Sequence, residues 1–134
     1  SVALPPAKHL SVEKFEAQLK GREGAFMAQG GASRLAWLQR CQAGHRIDLG
    51  CLRLGPARIL HLPGELFVEY QLAAKARRPD LFVAMAAYGD YAPWYIGTAI
   101  AYEEGGYETG PTASNVAPET EGVLLGAIGK LLRE

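Results

Sequence analysis

The sequence has no surplus of charge, almost no cysteine and no long apolar run, and each shortage removes a class of protein. Fourteen Lys and Arg stand against fourteen Asp and Glu, a formal charge of zero. A nucleic-acid-binding or polybasic membrane surface needs an excess of positive charge that is missing here. No apolar stretch approaches the roughly 18 residues of a membrane span. The two cysteines, Cys41 and Cys51, are too few for a disulfide framework and lack C-x-x-C zinc spacing. They read as two small buried hydrophobes. His9, His45 and His61 show neither H-x-H nor H-x-x-x-H spacing, so the chain holds no self-contained zinc motif. Phosphate loops, dinucleotide fingerprints and G-x-S-x-G nucleophile turns are also missing. No segment repeats.

What is present suits a globular fold. The chain has 134 residues, one domain's worth, with 49% hydrophobic and 21% charged types. It opens SVALPP, without an initiator Met or a basic-then-apolar leader, and reads as a processed protein or a piece of a longer one. Ser11 to Lys20 predicts a short helix capped by Ser11, with Val12, Phe15 and Leu19 on one face. Residues 21–32, with four glycines, predict a mobile connection. A second helix is expected from a Ser33 cap to Gly44, with Leu35, Leu38 and Cys41 inward. Ile47 to Leu54 reads as a strand whose change of phase suggests a bulge. Gly55-Pro56 then reverses the chain, so Arg58 to Leu62 should pair antiparallel with it.

Pro63-Gly64 breaks the next apolar run. Glu65 to Arg77 is helical by composition, with Leu66, Phe67, Tyr70, Ala73 and Ala74 as its apolar side. LFVAMAAY, residues 81–88, is apolar enough for a strand covered on both faces. Strand, helix and strand over residues 57–88 make a right-handed βαβ unit. A brief helix near Thr98 to Glu104 follows, and a final one starts at Pro118. Its apolar stripe is Val123, Leu124, Ala127, Ile128, Leu131 and Leu132. The expected class is α/β, a small mixed sheet with packed helices.

Parallel strands at 57–62 and 81–88 would send Pro63-Gly64-Glu65 and the loop 89–97 out of the same sheet edge, where open α/β sheets bind ligands. Glu65 is then either a carboxylate favoured by its helix dipole or a metal ligand or general base held by a tight turn. Five of the six tyrosines fall between residues 88 and 107. Tyr88 and Tyr102 read as core filling with the hydroxyl at the rim. Tyr91, Trp94 and Tyr95 crowd a loop shaped by Gly89, Pro93 and Gly97, and large aromatics on such a loop line a binding surface for sugar, lipid or protein. His61 reads as a sheet histidine. Asp90 can cap or accept a hydrogen bond in its loop.

Three segments together, LPGELFVEYQL, AYGDYAPWYIGTAIAYEEGGYET and VAPETEGVLLGAIGKLL, resemble the end of the catalytic domain of neutral/alkaline non-lysosomal ceramidases, nearest to ceramidase-like bacterial proteins. The likeness covers roughly residues 45–134, and its most specific parts are the Pro-Gly-Glu turn, Tyr95-x-x-Thr98 and Gly105-Gly106-Tyr107-Glu108. It implies a zinc ion held partly by Glu65 and Tyr95, with Tyr107 beside the scissile amide and Tyr91 and Trp94 lining the pocket. It further implies zinc-assisted hydrolysis of an N-acyl lipid amide and a periplasmic or secreted parent. The family's two histidine ligands and its serine and arginine partners lie upstream and have no counterpart among these residues. The resemblance therefore makes the chain the carboxyl-terminal portion of such a domain, partnered by the upstream part and inactive alone. Trp94 replaces a residue that is small in the family. Two other readings stay open: a non-catalytic glycan- or lipid-binding module, and a structural domain that docks on another part of its protein.

Overall fold

A computed structural model describes residues 1–20 and 28–133. Helix α1 (Val12–Leu19) starts as expected: the Ser11 hydroxyl accepts the Lys14 amide and Phe15 is buried. Helix α2 (Ala28–Gln42) starts before Ser33. Of the connection expected over 21–32, residues 21–27 lie outside the described residues, while 28–32 are helical. Packing explains the early start. Gly31 faces the Leu19 side chain of α1, 3.7 Å from where a Cβ would stand, so α2 is in contact with α1 from its first turn. The packing of α2 on α1 offsets a helical glycine's cost of about 1 kcal/mol. Trp37 and Leu38 are buried, and the Trp37 indole donates to the Asn115 carbonyl at 2.9 Å. Cys41 and Cys51 are both half-buried rather than fully enclosed.

Strands β1 (Gly50–Leu54) and β2 (Ala57–His61) form the expected antiparallel hairpin. Their register runs unbroken from Gly50↔His61 to Leu54↔Ala57, so the bulge is not there. Ile47 instead bridges to Val2. The change of phase marks where the chain leaves one pairing partner for another.

The unit that follows is βαβ with one addition. Strand β3 (Glu65–Leu66) precedes helix α3 (Val68–Arg77), and β4 (Phe82–Ala86) returns parallel to β2. Glu65 is thus not in a helical first turn. The helix is delayed to Val68 because β3 pairs in parallel with β5 (Tyr95–Ile96), a ladder the sequence pattern did not reveal. Helix α4 (Ala99–Glu104) is capped by the Thr98 hydroxyl. Helix α5 (Thr120–Leu131) begins two residues after Pro118, which lies in a turn that leads into it.

The fold is α/β: a mixed sheet ordered β1-β2-β4, a two-stranded ladder β3-β5, and helices packed on the sheet. Cross-strand partners share a face. Cys51, Leu60, Val83 and Met85 point to the core with Tyr70, Ala74, Leu124 and Ile128. Leu52, Leu54, Ile59, Phe82 and Ala84 point the other way, and Leu52, Leu54 and Phe82 are 55%, 58% and 66% exposed. The β4 run is therefore covered on one face, not on both. No helix among the described residues is long and apolar enough to cross a membrane.

Candidate functional site

The parallel register of β2 and β4 delivers the two expected segments to one edge of the sheet. The turn after β2 is shaped by Gly64, whose φ of +62° suits glycine. A Cβ there would lie 2.7 Å from both the Trp94 carbonyl oxygen and the Ile96 side chain. That close approach is what lets β3 pair with β5. Glu65 and Tyr95 become direct partners in this ladder, and paired residues on neighbouring strands project to the same side.

The intervening loop is held from many directions. The Tyr88 and Gly89 amides donate to the Gly64 and Leu62 carbonyls at 2.8 and 3.0 Å. The Gly64 amide donates to the Asp90 carbonyl, and the Glu65 amide to the Trp94 carbonyl, each at 2.8 Å. The Asn115 side-chain amide donates to the Ala92 carbonyl at 2.8 Å. Tyr88 and Trp94, at the two ends of the loop, carry φ of +65° and +59°. Bulky residues occupy that region only where their surroundings over-determine it, and such strain is concentrated at binding sites.

A ring of phenols results. Tyr88 and Tyr91 stand 5.6 Å apart between ring centres, and Tyr95 and Tyr107 stand edge to face at 6.2 Å. Burial, then hydrogen bonding to the Glu65 carboxylate, lifts the Tyr88 phenol above its ordinary range, and burial and the Glu65 charge do the same for Tyr91. For Tyr95 the Glu65 charge is the leading cause, followed by burial. Glu65 has no ion-pair partner among the described residues. Tyr88, Tyr91 and Tyr95 are the phenols on which its charge acts. Four of the five expected site residues, Glu65, Tyr91, Tyr95 and Tyr107, therefore gather in one place.

Trp94 behaves differently. Its ring lies under the Arg34 guanidinium, whose carbon is 4.5 Å from the ring centre. Arg34 is anchored in turn by the Thr112 carbonyl. Trp94 thus reaches Glu65 through its backbone, while its side chain engages α2. Tyr88, expected to fill the core, is 57% exposed and belongs to the ring, because β4 ends at Ala86 and leaves it on the loop. Tyr102 is half-buried and shares a 2.8 Å hydrogen bond with Ser114, as a rim tyrosine should.

One further support escaped the sequence reading. Arg40 on α2 donates to the Asp90 carboxylate at 2.7 Å, and Asp90 also accepts the Ala92 amide. Burial pushes the Asp90 carboxyl up, but the Arg40 and Ala92 hydrogen bonds outweigh it and hold the carboxyl below its usual range. Fifty residues separate the pair, so no local spacing could have signalled it. Asp90 is the keystone between α2 and the loop. His61, at the exposed end of β2, packs its ring against Gly89, where a Cβ would come within 2.7 Å.

A carboxylate beside a phenol is an oxygen donor pair of the kind zinc accepts, and it would fill half of a tetrahedral set. Among the described residues no group of three or more His, Cys, Asp or Glu stands close enough to complete one. The Glu65 charge disfavours the Tyr95 phenolate, and a cation between the two would offset that. Compared with protein-family models, with curated proteins and with solved structures, the chain matches none.

Proposed function

We propose that this chain supplies one wall of a zinc-dependent amide hydrolase of ceramidase type, acting on an N-acyl lipid amide. The observation that carries the reading is the pairing of Glu65 with Tyr95 in a two-residue parallel ladder. A ladder this short adds little stability, but it sets two oxygen donors side by side. Glu65 and Tyr95 would hold the metal, with the remaining ligands coming from an upstream part of the same domain. When bound, zinc polarises a carbonyl and lowers the pKa of water. Tyr107, edge-on to Tyr95, would donate a hydrogen bond to the oxygen that gathers charge as the amide is attacked. Tyr91 would flank the scissile group, and the Trp94–Arg34 stack would hold the loop in shape. The half-exposed tyrosines leave the wall open on one side, consistent with a site that a second segment closes.

The test is metal analysis of a polypeptide carrying this sequence together with the upstream histidines. About one zinc per chain is expected, with its loss in Glu65→Gln and in Tyr95→Phe. Full zinc content in both variants would overturn the ligand assignment. The exposure of Tyr88, Tyr91 and Tyr107 also favours a second reading, a non-catalytic module that grips a glycan or lipid. On that reading Tyr91→Ala abolishes ligand binding by the 134-residue chain without any metal.

A further inference from the structure

A groove of about 550 Å³ runs between the first residues of the chain and α5, and none of the residues around Glu65 lines it. Its first wall is pinned by Val2, which exchanges backbone hydrogen bonds of 2.9 and 2.8 Å with Ile47. Arg46, next to Ile47, lines the groove and donates to the Ser1 hydroxyl and carbonyl. The second wall is α5. Leu124, Ile128 and Leu132 form its buried row, while Val123, Ala127 and Leu131 form a neighbouring row at the same four-residue spacing that lines the groove. This second row runs over nine residues, a rise of about 12 Å from end to end. Between its members Gly126 adds no side chain, and a Cβ there would meet nothing within 4 Å.

The charge on the lining is one-sided. Among the described residues, Arg46 and Lys130 are its charged side chains and no carboxylate lines it. A partly buried apolar row with two cations beside it suits one kind of molecule, and the volume lies in the range of small-ligand sites. We propose that this groove binds a single-chain amphiphile with an anionic head, its alkyl chain on the Val123–Ala127–Leu131 row and its carboxylate or phosphate at Arg46 and Lys130. The groove shares no lining residue with the Glu65 site. Alkyl burial supplies the attraction and the two cations select the sign of the head group, because exposed ion pairs alone bind weakly.

Titration of the 134-residue chain with decanoate, decyl phosphate and decyltrimethylammonium, followed by amide NMR shifts, tests this. The two anions are expected to shift residues lining the groove, with the cation weaker by about tenfold. Stronger decyl phosphate binding assigns a phospholipid-type head, and stronger decanoate binding a fatty acid. Gly126→Leu should lower anion affinity by about tenfold while keeping the fold, since Leu fills empty space and is the better helix former. Arg46→Gln with Lys130→Gln should sharply reduce the preference for anions, leaving only the Ser1 amino group as a cation on the lining. Equal binding of the cation, undiminished binding by Gly126→Leu, or no binding of either anion overturns the proposal.

Discussion

The two faces of the three-stranded sheet carry similar side chains and meet different surroundings. On one, Leu60 and Val83 are shut in by α3 and α5, with no more than 1% of either exposed. On the other, Leu52, Leu54 and Phe82 are more than half exposed. The crossover helix α3 and the final helix α5 pack on each other, so both lie on the same side. Parallel strands are usually covered on both faces, and the β2–β4 pair has the apolar composition of such strands. The lesson is that an apolar strand reports a demand for burial; it does not report how many faces the described residues can cover.

The largest expected contrast is between truncations on the two faces. Leu60→Ala should cost about 2–5 kcal/mol, because it empties a fully packed position. Leu52→Ala should cost within about 0.5 kcal/mol, as surface changes do. Urea unfolding of both variants measures the difference, and similar losses would mean that the open face is packed in solution.

The sheet edge that carries the phenol ring should fall between these extremes. Gly64→Ala is expected to cost about 2–3 kcal/mol, from the positive φ and from the Trp94 carbonyl that a methyl group would strike. The same variant should alter the near-ultraviolet dichroism of the tyrosines, since the turn sets the β3–β5 register. An unchanged spectrum with unchanged stability would show that the turn does not position the ring.

A smaller effect than at Gly64 should come from the partly exposed pair Arg40–Asp90. Asp90→Asn is expected to cost about 1 kcal/mol at neutral pH. Because the folded state holds the Asp90 carboxyl below its ordinary 3.8, the pair's stabilisation is fully present above that value and is lost as pH falls through the lower folded value. The gap between native and variant unfolding midpoints should therefore close below about pH 4. A gap that persists at lower pH would assign Asp90's contribution to shape rather than charge.

The hairpin, the βαβ crossover and the arrival of Glu65 and the aromatic loop at one edge were legible in the sequence. Each rests on local signals: Gly55-Pro56 for the reversal, apolar runs for strands, and Pro63-Gly64 for the break. The β3–β5 ladder was not legible. Two residues are too short to show a period, and Leu66 and Phe67 continue the apolar side of α3 so well that a longer helix was the natural reading. The Arg40–Asp90 and Arg34–Trp94 contacts were hidden for a different reason, as nothing in an exposed face of α2 tells which of its cations will meet a loop fifty or sixty residues away.

The sequence by itself determined the class of the fold, the order of its main elements and the pool of side chains from which a site could be drawn, because propensity, turn chemistry and hydrophobic period act over a few residues. Tertiary structure alone decided which of them meet. It set Glu65 beside Tyr95, turned Tyr88 outward, placed Trp94 under Arg34 and left one sheet face open, since each outcome depends on segments packed together across long stretches of chain.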